Sequence, residues 1–180
     1  MRLSEITIAE AILEAEKNLK KGTYAGIRFS KDTIAAVKNY IKENDIPNAV
    51  AGSKMHTTLL YSRNHLPDYK AAGEYDTPMV GKPTVFNVWD SQEDDDGNKS
   101  RCLVLEYECS DLDKRHKELM DEHDATYDFP NYKTHITLSY DIGDRDIKDL
   151  PKFTDDLEIV SEYGEDLNLN WAKDNAKSED

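Results

Sequence analysis

The chain has 180 residues, and 23 Lys and Arg against 37 Asp and Glu leave a formal net charge of −14. Such a length supports one domain with a sizeable core and excludes two independent catalytic domains, while the charge removes any electrostatic drive toward duplex DNA or an anionic membrane, so a bound phosphate must be held locally. Apolar residues at 38% and charged residues at 33% describe a polar globular chain, with 9% aromatics left for packing and stacking.

The opening residues, MRLSEITIAEAILEAEKNLKK, space Ile, Ala and Leu at helical intervals between charges, which predicts an amphipathic helix over 6–20 with Gly22 as its stop. They do not form a signal-peptide block, and no run approaches the roughly 18 apolar residues of a membrane helix, so the protein is expected to stay in the cytoplasm where it is made. Thr23 to Ser30 alternates: Ala25, Ile27 and Phe29 point one way and Tyr24, Gly26 and Arg28 the other, as in a half-buried strand. Ser30 or Asp32 can cap a helix over KDTIAAVKNYIKEND, which Pro47 ends. Lys54 to Ser62, KMHTTLLYS, reads as a strand, and Arg63 to Lys82, with Pro67, Gly73 and Pro78, reads as a loop.

Pro83 to Asp90 and Arg101 to Cys109 are expected as antiparallel strands joined by the acidic, glycine-containing turn SQEDDDGNKS. Those acids are better explained as a solvated hairpin tip than as a metal site. Ser110 or Asp111 can then cap a charged helix, DLDKRHKELMDEHDA, with Leu112, His116, Leu119, Met120 and His123 near one face. Lys133 to Tyr140, KTHITLSY, is an alternating strand, LEIVSEY (157–163) another, and DLNLNW a possible edge strand before an acidic, frayed tail. Strand, helix, strand therefore occurs twice, over 23–62 and 101–140, and each copy ends in a strand that begins with a histidine.

Cys102 and Cys109 lie in one predicted strand with side chains on opposite faces, so they cannot bridge each other and are expected as free thiols. No CxxC, HExxH or paired His/Cys spacing points to a metal, and no GxxxxGK[ST] or GxGxxG points to a nucleotide loop, so neither a metal nor a cofactor is expected.

The sharpest signal is His56-Thr57-Thr58-Leu59 and His135-Ile136-Thr137-Leu138, each a His-x-Thr-Leu on an apolar strand. Alternation puts His56 with Thr58, Leu60 and Ser62 on one face, and His135 with Thr137 and Ser139 on one face of the other strand. A lone His-x-Thr is more often a packed histidine than a catalyst; two copies, each closing a strand-helix-strand unit, are hard to obtain from packing alone. If a pseudo-twofold axis relates the repeats, both strands become central neighbours and the four groups converge on one cleft. Such a set suits a phosphodiester, whose cleavage needs a base for the attacking oxygen, an acid for the departing one, and donors for the non-bridging oxygens. Histidine, with an ordinary pKa near about 6.5, can take either of the first two roles, and short threonine hydroxyls can take the third.

These motifs resemble those of the 2H phosphoesterase superfamily, whose members carry two His-x-Ser/Thr-hydrophobic motifs on paired central strands. The resemblance implies an α+β fold: two pseudo-symmetric lobes of strand-helix-strand units with antiparallel sheets around a central cleft, in a single domain over 1–172 with a disordered acidic tail over 173–180. It makes His56 and His135 the acid/base pair and Thr58 and Thr137 the phosphate-holding hydroxyls, without saying which histidine is the base. Relatives include RNA 2',5'-ligases, RNA 2',3'-cyclic phosphodiesterases and phage enzymes that destroy cyclic oligonucleotide signals.

The acidic surface favours a small nucleotide over long RNA. Bases need flat partners, and Tyr24, on the polar face of the first strand, and Trp89, on the same side as Asn87, are candidate stacking platforms. GTYAGIRFS, both histidine motifs and SEYGEDLNLNW together look most like the phage anti-CBASS family. That resemblance implies metal-independent hydrolysis of 3',5' linkages in cyclic di- and trinucleotides such as 3',3'-cGAMP, evading host CBASS defence from the host cytosol. Glu162 is a candidate for reading a base edge through its carboxylate. The alternatives are a 2H enzyme acting on RNA 2',3'-cyclic ends or 2',5'-oligoadenylate, and a binding protein that sequesters cyclic nucleotides uncleaved.

Overall fold

The computed structural model describes residues 21–91 and 96–168. The expected helix over 6–20, the tail, part of the acidic turn and the second half of DLNLNW lie outside the described residues. The chain runs β1 (Thr23–Phe29), α1 (Lys31–Glu43), a 3-10 turn (Gly52–Lys54), β2 (Thr57–Ser62), β3 (Gly73–Asp90), β4 (Arg101–Glu108), α2 (Ser110–Glu122), β5 (His135–Ser139) and β6 (Leu157–Asp166). The strands form one sheet in the order β2-β1-β6-β3-β4-β5, every neighbouring pair antiparallel, so the fold is α+β.

Local chemistry accounts for the elements. Ala25, Ile27 and Phe29 are buried as their alternation requires, and one core joins them to Val37 and Ile41 of α1 and to Leu112 and Leu119 of α2. Ser30 caps α1, its hydroxyl accepting from the Thr33 amide at 3.2 Å, and the helix stops at Glu43, short of Pro47. Cys109 occupies the N-cap position of α2 without a side-chain cap, so the capping expected of Ser110 or Asp111 does not occur; both begin the helix itself. Both cysteines are free.

The stretch from Gly73 to Lys82, expected as loop, is strand. β3 pairs first with β6 and then with β4, and its two prolines fall at the irregularities of those ladders. Pro78 lies between the paired residues Glu74 and Met79, and Pro83 opens the shift before Val85, so neither removes an N–H from a regular ladder. This long strand joins the half of the sheet holding β2-β1-β6 to the half holding β4-β5.

β2 and β5 stand at opposite ends of the strand order, yet β5 meets the segment that leads into β2. The Val50 amide donates to the Leu138 carbonyl at 2.8 Å, and Ala49 bridges Ser139. The Thr57 side chain reaches the His135 carbonyl, which brings the two histidine-bearing ends together.

Candidate active site

Each motif sits at the start of its strand. His56 immediately precedes β2, and His135 is the first residue of β5. In both, the ring Nδ1 bonds the carbonyl oxygen two residues upstream, Lys54 at 2.8 Å and Lys133 at 2.9 Å. A carbonyl can only accept, so Nδ1 carries the hydrogen in each neutral ring and Nε2 carries the lone pair.

Both strands are irregular at the same place. The β1 ladder pairs Ala25 with Leu60 and Gly26 with Thr58, skipping Leu59; the β4 ladder pairs Leu103 with Ser139 and Val104 with Thr137, skipping Leu138. An extra residue in one strand reverses the faces beyond it. Leu60, Ser62 and Ser139 are therefore fully buried instead of sharing the face of His56 and Thr58 or of His135 and Thr137. Ser62 donates to the Asn64 carbonyl and Ser139 to that of Pro47. In both motifs the histidine and the threonine two residues on stay half-buried.

Side-chain hydrogen bonds tie the two strands together. The Thr57 hydroxyl donates to the His135 carbonyl at 2.7 Å and accepts from the Tyr107 hydroxyl at 2.7 Å. On the same strand, Tyr132 donates to the Thr58 carbonyl at 2.6 Å and His116 Nδ1 bonds the Leu59 carbonyl at 2.7 Å. Their rings stack on each other with centroids 3.9 Å apart, so the open edge of β2 is closed beside the motif.

Aromatic side chains flank both imidazoles. The Tyr24 hydroxyl is 2.9 Å from Thr58 Oγ1, and its ring meets that of His56 edge-on at 6.2 Å. Trp89 lies against His135 with ring centroids 4.3 Å apart. Sequence reasoning missed Tyr163 and left open whether Arg28 touches phosphate. Tyr163 crosses β1 so closely that a Cβ on Gly26 would stand 2.5 Å from its hydroxyl, and its ring lies 6.2 Å from that of Tyr24. The Arg28 guanidinium sits over the Tyr163 ring, 4.4 Å from the centroid. The available signal was Gly26 itself, since an isolated glycine inside a strand marks the close approach of another group.

The charges around the two imidazoles differ. Burial lowers the His56 pKa against its bond to the Lys54 carbonyl, and the charges of His135 and Arg28 lower it further. Burial also lowers that of His135, but its bond to the Lys133 carbonyl and the charge of Glu106 oppose the shift. Glu106 stands directly across from His135 in the β4–β5 ladder and accepts from Asn87 at 3.2 Å. Burial pushes the Tyr24 phenol well above its ordinary value, so it remains a protonated partner for Thr58. Among the described residues no three His, Cys, Asp or Glu side chains form a metal-binding group.

The family model described as Anti-CBASS protein Acb1 matches residues 21–174. The chain belongs to the Acb1 family. It is similar to the Anti-CBASS protein Acb1 of Salmonella phage S16, 32% identical over 158 residues covering 88% of this chain and 96% of the relative. That of Enterobacteria phage T4 is 33% identical over 162 residues, with 88% and 96% covered. That of Acinetobacter phage Ac42 is 32% identical over 154 residues, with 86% and 96% covered. The matched region includes all six strands and both motifs.

In this Acb1-family chain, Glu162 is not brought to the histidine pair. Its side chain is fully buried, and Oε2 accepts from the Tyr69 hydroxyl at 2.9 Å, the Ala72 amide at 2.9 Å and Arg115 Nη2 at 3.0 Å. Oε1 accepts from the Tyr75 hydroxyl and Arg115 Nε, both at 2.9 Å. Five protein donors occupy the carboxylate that was expected to read a base edge. They tie β6 to α2 and to the 69–75 segment.

Proposed function

We propose that this chain is a phosphodiesterase that hydrolyses the 3',5' linkages of cyclic di- and trinucleotide messengers such as 3',3'-cGAMP, and that it evades CBASS immunity in this way from the host cytosol. The observation that carries this reading is the matched pair of imidazoles, each fixed by Nδ1 to a carbonyl two residues upstream and followed by a half-buried threonine, on strands joined through Thr57 and His135. Membership of the Acb1 family supplies the biological direction. The two strand-helix-strand units, with a bulge at the same place in each, support an architecture of the 2H phosphoesterase kind.

The reaction follows from the ribose beside the scissile bond. Nε2 of one histidine takes the proton of the 2'-hydroxyl, whose oxygen bonds to phosphorus while the bond to the 5'-oxygen breaks. The other histidine gives its proton to that 5'-oxygen. The product is a 2',3'-cyclic phosphate, which water opens to a 3'-phosphate with the two histidines in exchanged roles. The positive charge of Arg28 favours a neutral His56, which suits the base, and the Glu106 carboxylate favours a protonated His135, which suits the acid. Thr58 and Thr137 hold the non-bridging oxygens, and the Tyr24 hydroxyl, 2.9 Å from Thr58 Oγ1, fixes the first of them in place. Tyr24 and Trp89 flank the bound bases.

A substrate panel tests this reading. Purified protein should linearise 3',3'-cGAMP with chelator present and leave RNA 2',3'-cyclic ends and 2',5'-oligoadenylate largely untouched. Preference for either linear substrate would move the chain to another branch of phosphoesterases, and tight binding without any product would make it a sequestering protein.

A further inference from the structure

The net charge of −14 makes the source of positive charge at a phosphate site a specific question. Three basic residues lie near the histidine pair: Lys54, Lys133 and Arg28. The Lys133 ammonium is 62% exposed and 4.0 Å from Glu106, a loose surface pair. Lys54 contributes its backbone carbonyl to His56 and is the last residue of the 3-10 turn. Arg28 differs from both because the fold holds its guanidinium in place. Nη1 donates to the Ser53 carbonyl at 3.1 Å, one residue before the carbonyl that fixes His56, and the guanidinium plane is supported by the face of Tyr163 at 4.4 Å. Nε and Nη2 have no protein partner among the described residues.

We propose that Arg28 is the anion-binding residue of the site, its remaining N–H groups engaging the non-bridging oxygens of the scissile phosphodiester beside His56. This assignment rests on the phosphodiesterase reading above. A guanidinium is well matched to a phosphodiester, because its donors are arrayed in a plane, it stays charged at any working pH, and a ring stacked beneath it removes much of the freedom that binding would otherwise cost. Its position also explains the geometry of β1. Tyr24 and Arg28 point to the same face, Gly26 between them has no side chain, and Tyr163 fills that gap so as to brace both neighbours. The threonine hydroxyls supply neutral donors, and Arg28 supplies the full charge that they lack.

The test is a binding cycle in a His135→Ala background, which removes turnover. Isothermal titration calorimetry measures 3',3'-cGAMP and an analogue whose phosphodiesters are replaced by neutral methylphosphonates, with Arg28 intact, Arg28→Gln and Arg28→Lys. Arg28→Gln is expected to weaken the charged ligand on the order of 10- to 100-fold and the neutral one by about twofold or less, with Arg28→Lys between the extremes for the charged ligand. Equal losses for both ligands would show that Arg28 only supports the 52–54 turn, and an unchanged affinity for the charged ligand would also overturn the assignment. Absence of binding by the Arg28-containing protein would overturn the cyclic nucleotide reading and this assignment with it.

Discussion

The Thr57 hydroxyl donates to the carbonyl oxygen of His135 at 2.7 Å, linking the residue between His56 and Thr58 to the first residue of the second motif strand. Tyr107 donates to the same Thr57 oxygen, and Thr57 is 1% exposed, so the link is dry and fully partnered. Strands at opposite ends of the sheet are thus held in a fixed relation. Thr57→Val keeps the volume but leaves the Tyr107 hydroxyl and the His135 carbonyl unpartnered, at a cost of about 1–3 kcal/mol. Turnover should fall about tenfold with a smaller change in KM, because both histidines remain but their relative placement loosens. Steady-state kinetics beside a thermal melt checks this, and an unchanged kcat would show that the bond does not set that placement.

Acidity follows from the burial of the imidazoles. Both pKa values are lowered from the ordinary value, so a bell-shaped profile of kcat/KM, which needs one neutral and one protonated ring, should have its optimum below about pH 6.5. The two apparent values belong to the pair. An optimum well above neutrality would contradict this. The same shifts act on stability: the folded rings bind fewer protons than the unfolded ones, so their contribution is complete above about pH 6.5 and is lost as pH falls through the lowered folded values.

Replacement of Thr58 or Thr137 by Val removes a hydroxyl at nearly constant volume. Each should lower kcat/KM on the order of 10²-fold if the hydroxyls meet charge developing on phosphate. The Thr58 change also removes the partner of Tyr24. Kinetics with a substrate lacking the 2'-hydroxyl provides the companion measurement: resistance to cleavage is expected, and rapid turnover would rule out attack by that oxygen.

Arg115→Met leaves the Glu162 carboxylate buried with three donors and no countercharge. A loss of about 3 kcal/mol is expected from denaturant unfolding at neutral pH. Glu162 holds its carboxyl below the usual range because Arg115, the Ala72 amide and the two tyrosines outweigh its burial. Its contribution to stability is therefore present above about pH 4.3 and lost as pH falls through its lowered folded value. A melt unaffected by the substitution would show that the ion pair is energetically neutral.

Much of this site could be read from local pattern. Alternation in TYAGIRF put Tyr24 on the face opposite Ala25, Ile27 and Phe29, where it meets Thr58, and the repeated His-x-Thr-Leu identified the two strands that meet. Local pattern failed where distant segments decide the outcome. Bulges at Leu59 and Leu138 turn Leu60, Ser62 and Ser139 inward, which strict alternation cannot anticipate. β3 continues past Pro78 because its ladder partner changes along its length. Glu162 resembles a solvated strand residue until Arg115 from α2 and Tyr69, Ala72 and Tyr75 from another segment arrive around it. Arg28 gains its role from Tyr163, far along the chain, with Gly26 as the only local sign.

The central claim is that His56 and His135 act together on one phosphodiester. Its most direct test is the product spectrum of 3',3'-cGAMP, separated by chromatography and identified by mass spectrometry, for the parent protein, His56→Ala, His135→Ala and the double variant at matched concentration. Linear products from the parent, a loss of roughly 10³-fold or more in each single variant, and little further loss in the double variant are the expected results. Undiminished cleavage by either single variant would contradict the paired mechanism.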